Sequence, residues 1–145
     1  MTWQRTTLLN ICAGLSSEQL AARPRASSNL SLLGLIRHLA KVERIWFRRR
    51  AAGELVGPMY DPLRGKDSDF DDIEPGEAAA YLQRLHDEWR HADRAVARIA
   101  FDDTFDVAGE AFSLRMTYVH MIGEYSRHNR HADLLREAID GVTGR

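Results

Sequence analysis

The chain has 145 residues, a length that suits a single domain spanning 1–145 with one continuous hydrophobic core. Its 20 basic and 21 acidic residues give a net charge of -1 with the histidines neutral, so the charge balance provides no general attraction to nucleic acid or to an anionic membrane. Cys12 is the only cysteine, which excludes an internal disulfide, a tetrathiolate zinc site and a CxxC redox centre.

The first residues lack the long apolar run and the small-residue cleavage site of a secretory signal. No later segment reaches the ~20 consecutive apolar residues that span a bilayer. A lone cysteine also suits a reducing compartment. We therefore expect a cytoplasmic protein that has neither membrane nor nucleic-acid partners.

Apolar residues at helical spacing, Trp3 among them, predict a first helix over 2–13, which Gly14 ends. The sequence Ser-Ser-Glu-Gln at 16–19 resembles a capping box that opens a short helix. Pro24 must end this helix, because its ring and its missing N–H oppose continuation.

Ser31 is a good N-cap for a second long helix over 32–52. His38 lies within this helix and shares one face with Leu35 and Val42. We therefore expect a histidine side chain to point toward the core.

Several prolines and glycines interrupt the segment 53–76, which also carries an acidic run at 67–72. We interpret the segment as one long ordered crossover, because loops of this length are unusual and often border a functional site. Disorder is the alternative. The acidic run lacks the spacing of an EF-hand and is interpreted as a solvated loop.

An apolar stripe predicts a third long helix over 76–99, followed by a connector at 101–112 in which a short hairpin could form. Ser113 caps the last helix and Gly141 ends it. The sequence thus predicts an all-α fold, a four-helix bundle with a long crossover between the second and third long helices.

The last helix carries an apolar stripe in alternating steps of three and four, as expected where a helix packs on its neighbours. Its members are Leu114, Tyr118, Met121, Tyr125, Ala132, Leu135 and Ile139. His128 occupies a position in this stripe, and Glu124 lies one turn earlier, so the two side chains can converge beside the core.

A carboxylate and a neutral imidazole at this spacing are suitable ligands for zinc, nickel, manganese or iron. His38 could supply a third ligand from the facing helix. A hydrogen-bonded core histidine and a solvated Glu–His pair are the ordinary alternatives. Convergence favours the metal, because a divalent ion would compensate the buried charge of Glu124 and use both imidazoles.

Two further histidines on the last helix could reach the same pocket. His131 follows His128 by three residues, and a hydrogen-bonded position around the metal is its simplest role. His120 precedes Glu124 by four residues and suits a surface or helix-packing position.

The chain resembles the DinB-like metal-binding four-helix bundles over almost its whole length. The resemblance is carried by Leu-Leu-Gly-Leu-Ile-Arg-His-Leu-Ala at 32–40, by Val-Glu-Arg-Ile-Trp-Phe at 42–47, and by the segment 124–141 with its Glu-x-x-x-His start. It implies metal ligands at His38, Glu124 and His128. With glutamate at position 124, the chain resembles the branch of this family that is related to mycothiol-dependent maleylpyruvate isomerase and bacterial thiol S-transferases.

This resemblance implies a thiol S-transferase that uses a divalent metal, with Zn first and Ni, Mn or Fe as alternatives. A low-molecular-weight thiol of the mycothiol or bacillithiol type would be the cosubstrate and would attack an electrophilic small molecule. The alternative is a non-enzymatic metal-binding or structural helix bundle. Apolar helix faces could also support a homodimer.

Overall fold

The computed structural model of the protein describes residues 1–65 and 67–143, which form a mostly helical structure. The α-helices are α1 (Thr2–Cys12), α2 (Ser17–Ala21), α3 (Leu32–Glu43), α4 (Ser68–Asp71), α5 (Ala78–Val96) and α6 (Leu114–Asp140). The expectation of an α-rich fold is confirmed. No helix among the described residues is long and apolar enough to cross a membrane.

Three serines begin helices as the sequence predicts. The hydroxyl of Ser16 accepts a hydrogen bond from the Gln19 N–H while the Gln19 side chain accepts from the Ser16 N–H, which completes the capping box. Ser31 and Ser113 accept in the same way from the N–H groups three residues on. Gly141 ends α6 in the left-handed conformation, with φ of 77°.

The second long helix differs from the prediction in its last part. It is α-helical only to Glu43, and Arg44–Ala51 continues it as a π-helix, in which the Ala52 N–H bonds to the Phe47 carbonyl at 3.0 Å. The side-chain pattern of 32–52 gives no sign of this change, because both helix types keep one side of the segment facing the protein.

The long helices pack around one core, with α3 against α5 and α6, and α1 against α6. The largest buried apolar side chains are Tyr125, Phe47, Leu8, Leu32, Leu33, Leu35, Ile36, Leu39, Leu85 and Met121. At about 25 cal/mol per Å² of buried apolar surface, these side chains are the main source of stability. Trp3 is an exception to the predicted apolar face of α1, since 83% of it is exposed.

A buried arginine network crosses this core and connects all four long helices. Arg5 of α1 donates to both carboxylate oxygens of Glu43 of α3 at 2.8 Å, and it also binds Asp93 of α5. Tyr125 of α6 donates to Glu43 at 2.9 Å and accepts from the indole N–H of Trp89 at 2.7 Å. Burial opposes the charged form of Arg5, but the hydrogen bonds and charge of Glu43 and Asp93 outweigh it and raise the Arg5 pKa.

The crossover between the second and third long helices contains three short helices. These are the 3₁₀ turn Pro62–Arg64, α4, and the 3₁₀ turn Pro75–Glu77 that leads into α5. α4 packs directly on α3, where Gly34 permits the contact: a Cβ added at Gly34 would lie 3.0 Å from Cδ1 of Phe70. The crossover thereby reaches the helix that carries His38.

The connector before α6 forms the hairpin that the sequence allowed. Strands β1 (Thr104–Val107) and β2 (Glu110–Ser113) pair antiparallel, with Phe105 opposite Phe112. β2 runs directly into α6. The hairpin therefore fixes where α6 begins and contributes Phe112 to a contact with Trp46, at 5.2 Å between ring centroids.

Candidate metal centre

His38 lies on α3 with its imidazole held by the crossover. Its Nδ1 is 2.8 Å from Oδ2 of Asp69, and its ring stacks on Phe70 with the centroids 5.0 Å apart. Since Nδ1 is engaged in this hydrogen bond, Nε2 is the nitrogen that His38 can offer to a metal.

Glu124 and His128 lie one turn apart on α6, and both side chains face inward. Nε2 of His128 is 3.6 Å from Oε2 of Glu124, and the ring centroids of His128 and His38 are 4.6 Å apart. The other oxygen of Glu124 pairs with Arg127 at 3.0 Å. His128 is buried, and its Nδ1 has no hydrogen-bond partner among the described residues.

These three side chains, which we call the ligand triad, are candidate metal ligands, and one donor atom from each lies within 4.8 Å of the other two. Donors around a tetrahedral zinc ion are about 3.3–3.6 Å apart, so small side-chain rotations would close the triad around one cation. Two imidazole nitrogens and one carboxylate oxygen are a donor set suited to zinc and its neighbours in the first transition row. The triad therefore fits a divalent metal that keeps at least one position for another molecule.

The charge state of His128 also suits metal binding. Burial is the main reason that its pKa falls from 6.5 to about 4, and the nearby His38 lowers it further. A neutral imidazole keeps a lone pair at neutral pH, whereas a protonated one cannot bind a metal. His128 thus requires no proton loss before it can act as a ligand near pH 7.

The two other histidines of α6 lie outside the triad. The His131 ring is 5.6 Å from that of His128, and its Nδ1 is buried without a hydrogen-bond partner in the described part of the chain. His120 instead stacks on Trp46 at 4.0 Å, and burial lowers its pKa. His131 is therefore positioned beside the triad, whereas His120 has the helix-packing role that the sequence suggested.

The interpretation of the acidic run as a solvated loop is wrong for Asp69, which is fully buried in α4. Its Oδ2 contacts Nδ1 of His38 at 2.8 Å and Nζ of Lys41 at 2.6 Å. Burial would raise the Asp69 pKa, but the hydrogen bonds from His38 and Lys41 outweigh this effect and lower it. No local signal in the sequence distinguishes Asp69 from the exposed Asp67 and Asp71.

Arg37 fixes the backbone on both sides of Asp69. Its guanidinium donates to the carbonyls of Asp72 and of Ser68, the latter at 3.2 Å. It also lies over the rings of Tyr60 and Tyr81, at 4.5 and 5.0 Å. The residue before His38 thus anchors the segment that holds His38.

Two of the three arginines at 48–50 make specific contacts. Arg48 pairs with the buried Glu88 at 2.9 Å and with Glu54 at 2.7 Å. Arg50 lies 4.1 Å from the centre of the Trp46 ring. Arg48 thus ties the π-helical segment to α5 through Glu88, and Arg50 packs on Trp46.

A groove of about 280 Å³ between α1 and α6 is separate from the ligand triad, none of whose residues lines it. Arg136 in its wall donates to the carbonyls of Ile11 and Ala13 and pairs with Asp140. These bonds cover the carbonyls at the end of α1, which gives Arg136 a structural role. The triad is the stronger candidate for chemistry, because one donor atom from each of its three residues converges within 4.8 Å.

No match to the chain was found among the curated proteins or among the solved structures. The sequence profile of one family, described as mycothiol-S-transferase, matches residues 1–141. This match includes every helix described above and all three residues of the ligand triad. The chain therefore belongs to the mycothiol-S-transferase family, within the DinB-like superfamily.

Proposed function

We propose that the protein is a divalent-metal-dependent thiol S-transferase, which uses a low-molecular-weight thiol of the mycothiol or bacillithiol type. The convergence of His38, Glu124 and His128 within 4.8 Å carries this proposal, together with membership of a family named for thiol transfer. We also propose that the long helices form a DinB-type four-helix bundle around this centre.

The ligand triad favours Zn²⁺, with Ni²⁺, Mn²⁺ and Fe²⁺ as alternatives that the same donors would accept. His38 and His128 would bind as neutral imidazoles, and Glu124 would contribute the single negative charge. A dication with one anionic ligand keeps a net positive charge. This charge suits an anionic sulfur better than a centre with several carboxylates would.

A divalent cation at this position would lower the pKa of an incoming thiol and so favour its reactive thiolate. The thiol releases its proton to solvent. Its sulfur electron pair then forms a bond to the electrophilic carbon, and the electrons of the bond that breaks leave with the departing group. His38, Glu124 and His128 would hold the cation to which the sulfur binds, and Phe70 covers one side of the His38 ring.

The metal is tested by elemental analysis of protein purified without added nickel, followed by zinc titration. We expect about one equivalent of zinc in the wild type, and a strong loss in His38→Ala and in Glu124→Ala. His91→Ala is the matched control, since His91 is exposed on α5 and should bind as the wild type does. Equal metal content in all four proteins would contradict the ligand triad.

Catalysis is tested with metal-loaded protein, monobromobimane as the electrophile, and a panel containing mycothiol, bacillithiol, cysteine and glutathione. We expect faster consumption of one bacterial thiol, and no acceleration with His128→Ala. Cys12 should not interfere, because it is buried and burial raises its pKa to about 12. Cys12→Ala provides the control for this background.

Two outcomes would limit the proposal. Equal rates for all thiols, with and without protein, would overturn the transferase assignment. Tight metal binding without turnover of any electrophile would favour the non-enzymatic metal-binding protein instead.

The location and assembly of the protein are parts of the same proposal. Thiols of this class are kept reduced in the cytoplasm, where Cys12 would also stay unpaired. The exposed apolar residues Met116, Val119 and Ile122 recur along α6 and would suit a homodimer contact. Light scattering coupled to size exclusion would give the mass, and a monomer across the tested concentrations would exclude the dimer.

A further inference from the structure

We propose that Asp69 is a positioning residue of the metal centre, which acts through the imidazole of His38. The inference rests on the proposed metal site and goes beyond it, because Asp69 belongs to the crossover and not to the long helices. Its carboxylate is fully buried, and its Oδ2 is 2.8 Å from Nδ1 of His38.

The hydrogen bond determines which nitrogen of His38 carries a proton. An ionised carboxylate can only accept, so Nδ1 of His38 must be the donor. The lone pair is then on Nε2, which is the nitrogen that can bind a cation held jointly with Glu124 and His128. Carboxylate partners of metal-binding histidines fix the tautomer and the ring orientation in this way.

The neighbours of Asp69 support this role. Lys41 lies one helical turn after His38, and its Nζ is 2.6 Å from the same Oδ2, so its positive charge compensates the buried carboxylate. The other oxygen, Oδ1, is buried with no hydrogen-bond partner in the described part of the chain. A carboxylate buried for stability alone would be expected to use both oxygens.

The segment around Asp69 is held rigidly enough to orient a ligand. Arg37 binds the carbonyls of Ser68 and Asp72, which flank it, and Asn29 donates to Asp71 at 3.0 Å. Phe70 packs against Gly34, where a Cβ would approach within 3.0 Å. These contacts fix the direction of the Asp69 side chain and therefore that of the His38 ring.

The first test measures zinc affinity by competition with a chromophoric chelator. We expect Asp69→Asn, which keeps an acceptor but loses the charge, to bind zinc about tenfold more weakly, and Asp69→Ala to approach 100-fold. Asp72→Asn is the matched control in the same segment, because its side chain pairs with the exposed Arg64 at 3.3 Å. Wild-type affinity in Asp69→Asn and Asp69→Ala would overturn the inference.

The second test needs neither metal nor activity. Long-range ¹H–¹⁵N spectra of the metal-free protein report which imidazole nitrogen is protonated. We expect a protonated Nδ1 on His38 in the wild type and a shift of the proton toward Nε2 in Asp69→Ala. An unprotonated Nδ1 in the wild type would overturn the inference even if the variant also bound zinc weakly through a folding defect.

Failure of this inference and failure of the proposed function are distinguishable. Zinc binding that depends on Asp69, without thiol transfer, would support the role of Asp69 and overturn the catalytic proposal. Thiol transfer with unchanged zinc affinity in Asp69→Asn and Asp69→Ala would support the catalytic proposal and overturn the role of Asp69.

Discussion

The protein has two groups of largely buried polar side chains, the arginine network and the ligand triad, and they differ in how their polar atoms are satisfied. In the network, Arg5 meets both oxygens of Glu43, and Tyr125 links Glu43 to Trp89. In the triad, Nδ1 of His128 has no described partner, and Nε2 is 3.6 Å from Glu124. The first group is complete in itself, whereas the second has donors and charge suited to a cation.

The two groups also share two helices, α3 and α6. Tyr125 follows Glu124 directly on α6, and Glu43 follows His38 by five residues on α3. One face of this helix pair thus stabilises the fold, and the neighbouring face presents the candidate metal ligands. Variants of each group should therefore affect different measurements, which gives four ways to test the comparison.

The largest effect on stability is expected for Glu43→Leu. Loss of the carboxylate leaves the buried Arg5 without its bidentate partner, which should lower the free energy of unfolding by about 3–5 kcal/mol. Urea denaturation of the metal-free protein measures this change. A loss below about 1 kcal/mol would mean that the network contributes little, as at an exposed ion pair.

Zinc should stabilise the wild type strongly and leave the triad variants unaffected. At a free zinc concentration of 100 times Kd, the gain is about 2.7 kcal/mol, or roughly 10 °C in Tm for a chain of this size. Thermal unfolding with zinc and then with a chelator measures it. Equal stabilisation of His128→Leu would place the bound zinc elsewhere.

Tyr125→Phe should distinguish the arginine network from the ligand triad most clearly, because it should lower stability without changing zinc affinity. It removes the hydroxyl between Trp89 and Glu43 and should cost about 1–3 kcal/mol. Zinc affinity should stay at the wild-type level, although Tyr125 adjoins Glu124. A parallel loss of zinc affinity would show that the network also sets the geometry of the triad.

The smallest effect is expected for His128→Leu in the metal-free protein. Because the buried Nδ1 of His128 lacks a described partner, replacement by an apolar side chain should change stability by no more than about 1 kcal/mol, in either direction. Urea denaturation without metal provides the measurement. A loss as large as that of Glu43→Leu would indicate that His128 is needed for the fold itself.

The helices could be predicted from the sequence because their signals are local. Ser31 and Ser113 cap helices with bonds to residues three positions on, and Gly141 ends α6 in a conformation that glycine favours. The proximity of Glu124 and His128 could be predicted for a similar reason, since two residues four positions apart lie on the same face of any α-helix.

Asp69 could not be predicted, because its role depends on a contact with His38 that spans 31 residues of sequence. Asp67 and Asp71 in the same acidic run are exposed, and composition alone does not show which residue turns inward. The π-helical form of Arg44–Ala51 was missed for a different reason: its hydrogen-bond pattern changes while the helix continues in the same direction.

The π-helical stretch determines where the second long helix can vary in length. A turn closed by i→i+5 hydrogen bonds contains one residue more than the corresponding turn of an α-helix. We therefore expect removal of one residue from Arg44–Ala51 to convert the stretch to an ordinary α-helix. His38 and Glu43 both precede this stretch, so their angular positions would be unchanged by such a deletion. We therefore expect a one-residue deletion to be tolerated better after Glu43 than before it, although the contacts of Arg44, Phe47 and Arg48 would have to adjust.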